Sequence, residues 1–116
     1  MSDEVKVNRV RSSAIGVPGR CLNSARTNHF VLDDPTAPEA PTPAEAFLAG
    51  ISGCAVLIVD STARQSGVPL HKAEVTIECV RLVADMANFQ SVNLRFELIG
   101  PTPEQAHELV ATYQSR

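Results

Sequence analysis

The sequence predicts an α+β fold of antiparallel sheets with a long buried central helix and a second, amphipathic helix. Three observations predict it. Residues 73–80 and 91–99 alternate apolar and polar side chains, the period of half-buried strands. Thr42-Pro43-Ala44-Glu45 and Thr102-Pro103-Glu104-Gln105 each read as a helix start: threonine at N-cap, proline at N1, Glu or Gln at N3. Between residues 46 and 59 only the small Ser52 is polar, so the helix opened by the first box has no solvent face, as in a helix buried all round.

Each element follows in order. Residues 4–11, with Val5, Val7 and Val10, form a possible first strand. Gly16, Pro18 and Gly19 mark a turn. The segments RCLNS and ARTNHFVL read as two further short strands, the second with Phe30 and Leu32 on one face. DDPTAPEAPTP is loop, because Pro35, Pro38, Pro41 and Pro43 remove ladder donors. The long helix runs from Pro43 to about Ser66, where Gly67 can cap it and Pro69 forbids continuation. Ala49, Gly50, Gly53 and Ala55 would let another backbone approach, and a small domain can hardly enclose such a helix alone. A subunit interface is therefore expected. Then come a strand with Val75, Ile77 and Cys79 inward, a hairpin loop VADMANF, and a strand with Val92, Leu94, Phe96 and Leu98 inward. Ala106, Leu109, Val110 and Tyr113 at helical spacing give the last helix. It is expected to be still running at Arg116, which suggests a single domain truncated at its C-terminus.

With 116 residues the chain is one domain by length. A net charge of −3, no basic tail and few aromatic rings argue against nucleic-acid binding. The uncharged apolar run at 46–59 is shorter than the roughly 20 residues of a membrane span, so no membrane association is expected. No apolar leader follows Met1-Ser2-Asp3-Glu4. Cys21, Cys54 and Cys79 are odd in number and far apart, which argues against a disulfide framework and points to a reduced, cytoplasmic protein. His29, His71 and His107 form no ligand spacing with them, so neither a metal nor a cofactor is implied.

Cys54 is the leading chemical candidate. On its own it reads as a small packing residue, since apolar burial raises a thiol's pKa and makes it inert. Reactivity needs a cation, and Arg20 or Arg26 on the preceding strands are the candidates. Glu45 lies nine residues before Cys54, about 13 Å along a helix axis. It completes a capping box and is also a candidate for orienting an arginine over the sulfur. Asp33-Asp34-Pro35 reads as a turn.

NHFVLDDP, PTPAEAFLAGISGC, VPLHKAEVTIEC and VNLRFELIGPTPEQAHEL together resemble the OsmC/Ohr family of osmotically inducible and organic-hydroperoxide-resistance proteins. The resemblance implies an intertwined homodimer with its central helices packed across the interface. It implies a thiol peroxidase in which Cys54 attacks an organic hydroperoxide and becomes a sulfenic acid. Arg20, in PGR, would hold the thiolate and polarise the peroxide, with Glu45 completing the site. Position 44 is alanine where the best-characterised members carry glutamate. The family's second, resolving cysteine would follow the last helix, beyond Arg116. Turnover of this chain is therefore expected to use an external thiol or dithiol. Two alternatives stand beside the peroxidase: a non-enzymatic dimer that binds an apolar small molecule, and a redox-sensing thiol protein.

Overall fold

The computed structural model describes residues 4–36 and 39–116. Its elements run β1 (Arg11–Ala14), β2 (Arg20–Ala25), β3 (Asn28–Asp33), α1 (Pro43–Ser66), β4 (Lys72–Val80), β5 (Ser91–Ile99) and α2 (Pro103–Gln114). β1-β2-β3 form one antiparallel sheet and β4-β5 another, so the α+β class holds. Residues up to Ala46 and residues from Phe47 onward make two compact units.

In the first unit, β2 and β3 form a hairpin closed by Arg26 and Thr27, with Ala25 paired to Asn28. Arg26 takes a left-handed φ of 58° to make that turn. The first strand starts later than the sequence suggests. Val5, Val7 and Val10 are exposed, and residues 4–10 have no regular structure. The reason is pairing: β2 is six residues long and its register with β1 ends at Arg11↔Ser24. Beyond that pair β2 has only Ala25 left, so Val5 and Val7 have no strand residue opposite them and Val10 stays outside the ladder. The described residues between β3 and α1, 34–36 and 39–42, are loop, as the prolines predict; Ala37 and Pro38 lie outside the described residues.

The second unit is built on the β4-β5 hairpin. Val75↔Phe96, Ile77↔Leu94 and Cys79↔Val92 are cross-strand pairs on one face. That face is half-buried apart from Val92, which is 38% exposed near the loop end. Val59 and Ala63 of α1 and Leu109 of α2 are the buried core, with Val68, Leu70, Phe96, Leu98 and Tyr113 packed against it. Phe96 and Tyr113 meet at a centroid distance of 5.7 Å, a tilted aromatic pair.

Both helix starts form as read. Thr42 N–H donates to Glu45 Oε1 at 2.9 Å and Glu45 N–H to Thr42 Oγ1 at 3.2 Å. Thr102 and Gln105 repeat the exchange at the same distances. Gly67 ends α1 at φ 69°. α2 is not still running at Arg116: it ends at Gln114, with the N–H of the C-cap Ser115 donating to the Ala111 carbonyl at 3.0 Å and that of Arg116 to the Tyr113 carbonyl at 3.1 Å.

One chain buries only a stripe of α1. Ala55, Val59 and Ala63 are buried, while Phe47 is 56% and Leu57 68% exposed. A helix apolar on all sides has more surface than 116 residues can cover here. At 24 residues and mean hydropathy 1.7, α1 is also long and apolar enough to cross a bilayer. The core helices of soluble proteins share that length and composition. Asp60 and Arg64, an ion pair at 2.6 Å within the helix, are expensive in hydrocarbon.

Candidate functional site

Arg20 opens β2 and Asp33 closes β3, and the hairpin register sets them directly opposite one another. Gly19, at φ 75°, makes the turn that delivers Arg20 to the strand. The turn is tight: a Cβ at position 19 would stand 2.7 Å from Asp34 Oδ2. Arg20 N–H donates to the Val17 carbonyl at 3.1 Å, and Asp34 N–H to the Gly19 carbonyl at 2.8 Å.

The two side chains form a fork. Arg20 Nε donates to Asp33 Oδ1 at 2.6 Å and Nη2 to Oδ2 at 2.9 Å. Asp33 is 2% exposed. Its Oδ2 also accepts the backbone N–H groups of Glu39 at 3.0 Å and Ala40 at 2.8 Å. The Arg20 guanidinium, followed by those amides, holds the Asp33 carboxyl well below the usual carboxylate range against the effect of burial. The carboxylate in turn raises the pKa of Arg20, first through its hydrogen bonds. Glu39 stands 3.9 Å from Nη2, but it is 85% exposed and contributes little through water.

Asp33 is the residue that sequence reading missed. The sequence places it in a turn, whereas the structure makes it the buried counter-ion of the candidate arginine. The signal was available: centring the hairpin on Arg26-Thr27 puts position 33 opposite position 20. Arg26, the other candidate cation, is exposed on the turn itself.

Glu45 is held in the first box by Thr42. The Thr42 backbone N–H, then its hydroxyl, lowers the Glu45 pKa. Among the described residues Glu45 makes no ion pair. Cys54 lies on α1 in the second unit as a free, exposed thiol. Cys21 and Cys79 are free and half-buried, and the Cys21 sulfur accepts from Asn23 Nδ2 at 3.6 Å. No cluster of three His, Cys, Asp or Glu side chains suited to a metal occurs among the described residues.

Two antiparallel sheets with two capped helices, the longer bearing a free cysteine, make a small α+β protein. The family model for OsmC-like protein matches residues 36–116. The chain belongs to the OsmC-like family, and the expected kinship with OsmC/Ohr proteins holds.

Solved structures agree on the fold. An OsmC-like protein from Mycoplasma pneumoniae is similar at TM-score 0.84 and 14% identity, over 96% of this chain and 82% of that one. An organic hydroperoxide resistance protein OsmC from Legionella pneumophila is similar at TM-score 0.73 and 18% identity, over 97% and 85%. The organic hydroperoxide resistance protein OhrB of Bacillus subtilis is similar at TM-score 0.64 and 17% identity, over 95% and 84%. No curated protein matches the sequence.

Proposed function

We propose that this protein is a thiol-dependent peroxidase that reduces organic hydroperoxides at Cys54. One observation carries the reading: Cys54 is a free, exposed thiol on α1, inside the segment that matches the OsmC-like family. The hydroperoxide-resistance names of the Legionella and Bacillus neighbours support the substrate class.

The chemistry balances without a cofactor. The Cys54 thiolate attacks one peroxide oxygen, an S–O bond forms, and the O–O bond breaks. The alkoxide leaves and takes a proton, giving an alcohol and a sulfenic acid. One external thiol then displaces water to form a mixed disulfide, and a second restores the Cys54 thiol and leaves as a disulfide. An external dithiol can supply both equivalents. Arg20 is the donor that polarises the peroxide. We assign Glu45 to the start of α1, where it fixes the helix that carries Cys54. The uncovered apolar surface of α1 supports a homodimer with its long helices at the interface. The reducing cytoplasm is the compartment that suits three free thiols.

A second reading has an observation of its own. Arg20 is engaged by Asp33 and Glu45 by Thr42, which is what a non-catalytic dimer that binds an apolar molecule would also have. Cumene hydroperoxide with a dimedone trap separates the two. The peroxidase gives one dimedone adduct per chain, confined to Cys54 and absent in Cys54→Ser. A wild-type protein that leaves Cys54 unlabelled refutes it. Labelling without turnover in any thiol reductant identifies a redox sensor instead.

A further inference from the structure

We propose that the hairpin end of the first sheet binds a phosphate monoester. Arg9, Arg11 and Arg26, with Val7 and Ser24, surround a hollow of about 430 Å³. Small-molecule sites run from roughly 300 to 1,000 Å³, so the hollow has room for a phosphate and an organic group beyond it. All five residues belong to the first compact unit. None of them is acidic, in a chain whose net charge is −3.

The backbone builds the site. The register pairs Arg11 with Ser24 and Ser24 with His29, so these side chains form a row across β1, β2 and β3 on one face. Arg26 follows Ser24 by two residues at the turn, and Arg9 precedes Arg11 by two. Ser24 Oγ and His29 Nδ1 lie 2.8 Å apart. With the proton on Nδ1 the imidazole donates, and the Ser24 O–H is left for a ligand oxygen.

Two observations set this patch apart from ordinary solvated charge. First, Arg20, Arg64 and Lys72 each have a carboxylate partner, at 2.6, 2.6 and 3.2 Å. Arg9, Arg11 and Arg26 make no ion pair among the described residues. Cations that share one hollow repel each other, and an anion from outside relieves that repulsion. Second, Arg26 holds φ 58° in a two-residue turn, where glycine or asparagine would avoid the strain. A charge is kept there against backbone preference.

The chemistry selects phosphate over carboxylate. One guanidinium fork satisfies both oxygens of a carboxylate and leaves two arginines unused. A phosphate monoester offers three terminal oxygens and up to about two negative charges, which match three guanidiniums and a hydroxyl. Val7 gives the organic part of the ester an apolar wall.

The test is an NMR titration of the isotope-labelled protein with phenyl phosphate, read on arginine Nε–H signals, with benzoate as the carboxylate control. Phenyl phosphate should shift the Arg9, Arg11 and Arg26 signals saturably and leave that of Arg64 in place. Benzoate should bind about tenfold more weakly or worse, and added salt should weaken both. Arg11→Gln should lower phenyl phosphate affinity about tenfold. Arg26→Asn should lower it as much while melting at or above the wild-type temperature, because asparagine relieves the turn. Vesicles of phosphatidylcholine with phosphatidic acid distinguish the carrier of the phosphate. Phenyl phosphate binding without cosedimentation supports a soluble ester. Cosedimentation that is lost in Arg11→Gln supports a lipid headgroup. The proposal is overturned if neither probe binds, if benzoate binds as tightly as phenyl phosphate, or if either folded variant keeps wild-type affinity. If one variant does not fold, the other decides.

Discussion

The assignment of Glu45 to the helix start, and not to the reacting atoms, makes a sharp prediction. The perturbation is a pair of variants, Thr42→Ala and Glu45→Gln. Thr42→Ala removes the hydroxyl that accepts the Glu45 N–H at 3.2 Å, leaving that amide to water. Loss of an N-cap threonine costs about 1 kcal/mol. A chain of 116 residues has an unfolding entropy of about 0.24 kcal/mol/K, so the melting temperature should fall by about 4 °C. Glu45→Gln keeps an oxygen acceptor for the Thr42 N–H, a bond of 2.9 Å in the parent. Glutamine serves the same position in the second box, at Gln105. Its melting temperature should therefore stay within about 1 °C of wild type. The assays are thermal unfolding by circular dichroism at fixed protein concentration and dimedone labelling of Cys54. If Glu45→Gln melts like wild type yet forms no sulfenic acid, the carboxylate has a chemical task and the capping assignment is wrong. If Thr42→Ala melts unchanged, the box contributes nothing and the energetic argument fails.

Other predictions follow from the core, the turns and the ion pair. Leu109 is 3% exposed in the centre of the second unit, so Leu109→Ala should lose about 3 kcal/mol in urea unfolding, with the slope unchanged. Gly100 sits at φ 119°, and a Cβ there would stand 2.6 Å from the Pro69 carbonyl oxygen. Gly67 sits at φ 69° with open space around it. Gly100→Ala should therefore cost at least about 2 kcal/mol, and Gly67→Ala only about 1 kcal/mol, by the same denaturation assay. The Asp33 carboxyl is held below its unfolded value, so its stabilising contribution is complete above about pH 4 and is lost as pH falls toward the folded-state pKa. Wild type should lose more stability than Asp33→Asn between pH 5 and pH 3 in urea titrations at both pH values.

Several elements were legible because their causes are local. A capping box needs residues three apart, and a strand's face needs only alternation, so α1, α2, β4 and β5 could be read within windows of a few residues. β1 was misplaced for the opposite reason. Val5, Val7 and Val10 have strand character, but the ladder stops at Arg11↔Ser24 and β2 itself ends one residue later, at Ala25. The end of α2 was also misjudged by position, since apolar spacing continues to Tyr113 while the cap forms at Ser115. Of the candidate site, Cys54 and Arg20 stood out by residue type and surroundings, whereas Asp33 looked like any aspartate before a turn.

From its residues alone this chain specifies the two helix starts, the glycine that ends the long helix, the alternating hairpin and membership of an OsmC-like pattern. The tertiary structure decides which carboxylate meets Arg20, how buried that carboxylate is, and how much of α1 one chain leaves uncovered. The physical division is one of range. Hydrogen bonds between near neighbours are written into short spacings, while desolvation and cross-strand pairing depend on residues brought together only by the folded hairpin.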